Sequence, residues 1–173
     1  MEMRKYKGII FDLDETLVDT TMLAGFRESR NWSLCYANIN KTLLYENVDV
    51  LLKKIGDSQI KIGVVTMSPQ SYARKVLSYH KIKYDVLIAY HDVKNRKPHP
   101  EPMLKCLERL ELLASEVISL GDDAKDIKSS RSAGIDAIGL DLNSQRRGNL
   151  ISAGAQRVFD NYYEIDEFIF EGK

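Results

Sequence analysis

The chain has 173 residues, 44% of them hydrophobic, with 25 Lys plus Arg balancing 25 Asp plus Glu. That length suits one domain with a sizeable core, and a net charge of zero gives no support to nucleic acid or a membrane surface as a partner. Two cysteines, Cys35 and Cys106, are too few for a disulfide framework, and M-E-M-R-K-Y-K-G at the N-terminus has no apolar h-region. The expected setting is therefore the cytoplasm, with both thiols reduced and buried.

The first predicted strand covers residues 7–13, and it runs into F-D-L-D-E-T-L-V-D-T at residues 11–20. Asp12 and Asp14 stand two residues apart, so in strand geometry both face the same side. Two such acids repel, and one needs a proton or a cation. Residues 20–45 follow, with Trp32, Leu34, Tyr36 and Leu43-Leu44 in an irregular helical pattern. A simple crossover needs only a dozen or more residues, so this stretch is expected to be a small helical insertion at the mouth of a site. With so little chain for a cover, the aspartates are expected to be open to solvent unless a neighbouring subunit covers them.

A helix over 47–55 leads into a second strand at 60–65, I-K-I-G-V-V, which ends at Thr66. Ser68-Pro69 then read as the N-cap and first turn of a helix over 70–79. A third strand at 86–89 precedes K-N-R-K-P-H-P-E-P, with Lys97 ahead of Pro98, and a helix over 101–112. A fourth strand at 117–120 ends in G-D-D-A-K-D, bearing Asp122, Asp123 and Asp126. A helix over 124–133 stops at Gly134, and strands at 137–140 and 157–159 complete the pattern.

Alternating strands and helices mean an α/β fold: a three-layer, Rossmann-like parallel sheet with helices on both faces and the small insertion after the first strand. Ligands of such sheets bind beyond the carboxyl ends of the strands. Acids, a hydroxyl, a lysine and more acids along one edge suit a phosphate with a hard cation. The carboxylates hold the cation, while hydroxyl, amides and ammonium hold the phosphoryl oxygens. His80, His91 and His99 lack ligand spacing for zinc. Arg146-Arg147 read as a solvated loop, and Met22, Phe26, Trp32 and Tyr36 as packing residues.

The four clusters together resemble the haloacid dehalogenase-like hydrolase superfamily: D12-L-D-E-T16, V-V-T66-M-S, R-K97-P-H-P and L-G-D122-D-A-K-D126. Y-E-N-V-D-V-L-L-K-K and S-S-R-S-A-G-I-D-A-I-G-L extend the likeness over nearly everything but residues 20–45. The resemblance implies one domain over 1–173 and a Mg²⁺-dependent phosphomonoester hydrolase. Asp12 would be the nucleophile forming an aspartyl-phosphate, and Asp14 the acid and base. Mg²⁺ would take the Asp12 carboxylate, the Asp14 carbonyl and Asp122, with Asp123 and Asp126 orienting its waters. Thr66 and Lys97 would bind the phosphoryl group, and Thr16 would hold the turn.

Two other readings share these residues. A phosphomutase would use the same aspartyl-phosphate but must exclude water, which a rudimentary cap does poorly. A receiver-like or catalytically silent signalling domain also places acids, Thr and Lys at strand ends, but receivers carry the phosphorylated Asp after the third strand. Here G-D-D follows the fourth, which favours the hydrolase, and the neutral net charge favours a small phosphorylated substrate over a polyanionic one.

Overall fold

A computed structural model describes residues 6–172; the first five residues of the M-E-M-R-K-Y-K-G run lie outside the described residues. Six parallel strands form one sheet: β1 (Gly8–Phe11), β4 (Lys61–Val65), β5 (Val86–Ile88), β6 (Val117–Gly121), β7 (Asp136–Leu140) and β8 (Arg157–Phe159). Their order is β5-β4-β1-β6-β7-β8. The chain winds outward from β1 through β4 to β5, then returns to the other side of β1 for β6, β7 and β8. The direction of winding reverses between β1 and β6, where an open α/β sheet forms its ligand crevice.

Strand alternation assigns the layers. Ile9 and Phe11 of β1 join the core beneath α3 (Val48–Asp57), α4 (Gln70–Tyr79) and α8 (Tyr162–Glu171). Ile10 points the other way, into the core under α5 (Glu101–Leu110). On that same face α6 (Ala124–Ser132) and α7 (Arg147–Ser152) bury Ile127 and Leu150. The expected three-layer parallel architecture is what forms. Gly134, at φ +78°, lies just past the last helical residue of α6, as a glycine C-terminal signal requires. Cys35 and Cys106 are buried and unbridged. No helix among the described residues is long and apolar enough to cross a membrane.

Residues 20–45 are an excursion on a stem. After β1 the chain makes one helical turn, with Leu17 N–H and Val18 N–H both donating to the Leu13 carbonyl at 3.0 and 3.2 Å. It then enters β2 (Val18–Asp19), which pairs antiparallel with β3 (Leu43–Leu44). Between these two short strands lie α1 (Ala24–Glu28) and α2 (Trp32–Ala37), each flanked by a 3₁₀ turn. Leu23 and Cys35 are fully buried, and Trp32 packs on Tyr72 of α4 with ring centroids 5.5 Å apart. The insertion is thus docked on the sheet domain.

One close approach positions the chemistry. A Cβ added to Gly121, the last residue of β6, would lie 2.3 Å from Asp126 Cβ. Only a glycine there lets the first turn of α6 press its acid against the strand end. Gly121→Ala should push α6 away and lower stability by about 1–3 kcal/mol, as overpacking does. A thermal melt checks this, and an unchanged midpoint would show that the approach is not a constraint.

Candidate active site

Asp12 and Thr66 are the first residues beyond β1 and β4, yet the sheet ladder still holds them. Asp12 N–H donates to Leu120 O at 3.0 Å, and Thr66 N–H to Ile88 O at 2.9 Å. Lys97 reaches the same place from the loop after β5, and Asp122 and Asp126 from the end of β6 and the start of α6. Together with Asp14 and Asp123 they line a single cavity of about 630 Å³.

Lys97 is the hub. Its ammonium donates to Asp12 Oδ1 at 3.1 Å, to Asp126 Oδ1 at 2.7 Å and to the Val65 carbonyl at 2.6 Å, and its side chain is 2% exposed. Burial acts to lower its pKa, but the carboxylates of Asp12 and Asp126 together outweigh that and raise it. Asp12 is nevertheless pushed well above the usual carboxylate range, by burial first and by Asp126 next, with Lys97 opposing. The two directions are compatible. The ammonium gains from two anions, whereas Asp12 meets one ammonium and three further acids. Asp122 is pushed up to about 6 by burial and Asp126, against the Thr16 hydroxyl and Arg146.

The Asp12–Asp14 repulsion expected from their spacing is the smallest of the named influences on Asp12. The chain leaves strand geometry at Asp12, and the Asp14 carboxylate turns to other partners. It accepts from Thr20 Oγ1 at 2.8 Å, Ser68 Oγ at 2.7 Å and Tyr72 Oη at 2.7 Å. Arg27 Nε lies 3.7 Å from the same carboxylate and has no hydrogen-bond partner of its own. Tyr72 is raised above its ordinary range by burial and by the Asp14 charge, which keeps it a donor. Ser68 therefore serves Asp14 and does not cap α4; Pro69 occupies the N-cap position.

Thr66 Oγ1 accepts the Ser68 N–H at 3.1 Å, which leaves its hydroxyl proton free to donate. Thr16, fully buried, donates to Asp122 Oδ1 at 2.9 Å, so holding its turn also means holding Asp122. Asp126 and Asp123 separate clearly. Both Asp126 oxygens are engaged, Oδ1 by Lys97 and Oδ2 by Asp123 N–H at 3.1 Å, and the residue is buried. Asp123 is exposed and caps α6 by accepting Lys125 N–H at 2.8 Å.

Two expectations are corrected. The aspartates are not open to solvent, since the side chains of Asp12, Asp14 and Asp122 are only 14%, 10% and 11% exposed. Arg27, Arg30 and Trp32 of the insertion form one wall of their cavity. Arg146, read as a solvated loop residue, is half exposed but is also tied to the site: its Nη1 engages Asp122 Oδ2, and its Nη2 lies 3.6 Å from Glu15 Oε2. Glu15 also takes Arg27 Nη2 at 2.9 Å. A usable signal existed for Arg146, because β7 ends on the same sheet edge as β1, β4 and β6. Nothing in the local sequence marks Tyr72 as a partner of Asp14; it reads as one more apolar position of α4.

Residues 27–140, about two thirds of the chain, match the sequence model of the haloacid dehalogenase-like hydrolases. The chain belongs to that family. A phosphoglycolate phosphatase of Colwellia psychrerythraea is 26% identical over 159 residues, covering 89% of this hydrolase and 67% of the relative. A protein of Caldanaerobacter subterraneus provisionally named pyrophosphatase PpaX is 34% identical, covering 79% and 82%. The chain spans only half the length of the phosphoglycolate phosphatases of Salmonella that it matches. A haloacid dehalogenase-superfamily hydrolase structure from Ehrlichia chaffeensis superposes with a TM-score of 0.74 at 20% identity over 98% of both chains, a likeness of fold.

Removing the hub cation of this hydrolase leaves two buried anions uncompensated. Lys97→Met should cost about 3–5 kcal/mol in urea denaturation with EDTA present. Adding Asp126→Asn should recover part of the loss by removing one of those anions. Equal losses in the single and double variants would show that Asp126 does not share the ammonium.

Proposed function

We propose that this hydrolase cleaves small phosphomonoesters through a phosphorylated Asp12, with Mg²⁺ as its cofactor. The observation that carries the reading is the convergence of Asp12, Lys97, Thr66 and Asp122 on one cavity at the winding reversal of the sheet. The donor set suits a hard divalent ion: Asp12, Asp122 and Asp126 bring carboxylate oxygens within 4.8 Å of one another. Burial has also raised Asp12 and Asp122, so a cation there relieves an existing electrostatic cost. Asp12, Asp122 and the Asp14 carbonyl would hold the ion. Asp126, whose Oδ1 is held by the buried Lys97 ammonium, would stand outside them together with the exposed Asp123. When bound, the ion would withdraw charge from the phosphoryl oxygens and shield the incoming dianion from the aspartates.

Lys97 engages Asp12 through Oδ1 alone, leaving Oδ2 to attack phosphorus. The Thr66 hydroxyl donates to one phosphoryl oxygen, and Lys97 offsets charge on the nucleophile as a new P–O bond forms to it. Asp14 gives a proton to the departing alkoxide, then takes one from the water that releases phosphate from Asp12. To reach those atoms it must give up part of its hydroxyl cage, which ties its work to Ser68, Thr20 and Tyr72. The names of the curated relatives, phosphoglycolate phosphatase and pyrophosphatase, support a small phosphorylated substrate. Arg27, Arg30 and Trp32 offer contacts to its non-reacting part. We take residues 1–173 as one domain with a cap-like insertion at about 20–45, and unbridged Cys35 and Cys106 support a cytoplasmic setting.

The test is a phosphatase screen over phosphocarboxylates, sugar phosphates, nucleotides and phosphopeptides with Mg²⁺, with EDTA and with Ca²⁺. Activity should vanish in EDTA, return with Mg²⁺ and return poorly with Ca²⁺, whose longer, more numerous bonds misplace the reacting groups. Full turnover after exhaustive EDTA dialysis would end the metal-dependent reading.

Asp12→Asn should abolish turnover while leaving the fold at least as stable, since an amide is a poor nucleophile and adds no charge to the cluster. Wild-type turnover in that variant would falsify the covalent route. Asp14→Asn should slow both half-reactions, so a phosphoenzyme formed from an aryl phosphate should persist longer under rapid quench. A wild-type decay rate would remove Asp14 from the acid and base role.

A further inference from the structure

Arg146 is the second cation of the acid cluster, and the reaction above gives it no task. Its loop is well anchored: buried Asp141 accepts the N–H groups of Gln145, Arg146 and Arg147 at 3.0, 3.0 and 2.8 Å. From there Arg146 Nη1 engages Asp122 Oδ2 and lies 3.3 Å from the Asp122 carbonyl. The Thr16 hydroxyl holds Asp122 Oδ1, so both oxygens of Asp122 are engaged by protein groups. Lys97 is locked in at 2% exposure, whereas the Arg146 side chain is 47% exposed and has solvent to move through.

We propose that Arg146 is a resident counter-cation of Asp122 that a divalent ion must dislodge, so that this arginine sets the affinity of the metal site. The inference rests on the metal-dependent reading above. Lys97 and Arg146 bring two positive charges to the three carboxylates of Asp12, Asp122 and Asp126, and so hold the metal-free cluster together. A guanidinium stays charged at any working pH, so it yields to another cation only by moving. Glu15 supplies the place to move to. Its Oε2 already lies 3.6 Å from Arg146 Nη2, and Arg27 holds its other oxygen at 2.9 Å. Asp122 is then never a bare buried anion without metal, and Arg146 never a bare cation with it. The arginine is a positioning residue: it acts on Asp122, not on substrate.

The experiment is calorimetric titration of the whole protein with Mg²⁺, without substrate, for wild type, Arg146→Met and Arg146→Lys. Methionine keeps part of the aliphatic stem and removes the charge, so Mg²⁺ should bind about tenfold more tightly to Arg146→Met. Arg146→Lys should stay near wild type, because an ammonium can still contest Asp122. Metal-free Arg146→Met should also melt below metal-free wild type and gain more from Mg²⁺. Equal or weaker Mg²⁺ binding in Arg146→Met overturns the inference. Wild type offers a measurement that needs no variant: ¹⁵N signals of the Arg146 guanidinium should shift as Mg²⁺ saturates the site. An unmoved signal at saturation means that Arg146 keeps Asp122 in both states, and the inference fails. If wild type takes up no Mg²⁺ at all, the metal-dependent reading falls and this inference with it. Binding that is equal in wild type and Arg146→Met removes the inference alone.

Discussion

A buried ammonium between two carboxylates is the constraint on which the rest of the molecule depends. Lys97 meets Asp12 from β1, Asp126 from α6 and the Val65 carbonyl from β4 at once. These residues are far apart in the chain and converge only if β1 lies between β4 and β6, with α6 pressed against the end of β6. An ion pair of this kind contributes little net stability when well-packed apolar residues could replace it, because desolvation offsets the attraction. What it does is tie three distant stretches of chain to one point. An alternative strand order would bury the same charges without partners, at a cost of several kcal/mol each.

The acids divide the work by environment. Asp12 and Asp122 are raised by their burial first and by the like charges around them second. Asp14, two residues from Asp12, sits in a cage of three hydroxyls with an arginine near it. Glu15 separates the two settings. Its φ of 60° turns the chain directly after Asp14, and its carboxylate lies between Arg27 of the insertion and Arg146 of the loop after β7. A few consecutive residues thus serve two electrostatic compartments, which a continuous strand with acids on one face could not do.

Most of the fold was legible, because buried parallel strands read as apolar runs and helices as periodic ones, and the two periods do not mimic each other. α4 and β8 match their expected bounds, and the other expected strands and helices differ by a few residues at their ends, whereas α8 is not among the expected elements. The strand-end rule found Asp12, Thr66, Lys97 and Asp122, since topology alone sends those residues to one edge. It could not find the Asp14 cage, which depends on side-chain direction after the chain has left the strand. Tyr72 donates from the apolar face of a helix, where sequence spacing signals burial and nothing more. Arg146 is hidden for a different reason: its loop is fixed by three backbone N–H groups donating to buried Asp141, a contact that the sequence does not mark.

The pairing of β2 with β3 brings the entrance and exit of residues 20–42 to neighbouring positions, about 5 Å apart as strands in a sheet are. Whatever lies beyond that ribbon can lengthen or shorten without disturbing the register of the main sheet. The entropic cost of a longer excursion grows only with the logarithm of its length. The ribbon therefore makes the covering segment exchangeable. A replacement peptide leaves the Lys97–Asp12–Asp126 contacts untouched but must supply its own partners for Asp14 and Glu15 in place of Thr20 and Arg27, and a chimaera joined at Val18 and Leu44 is the natural unit for transplanting it.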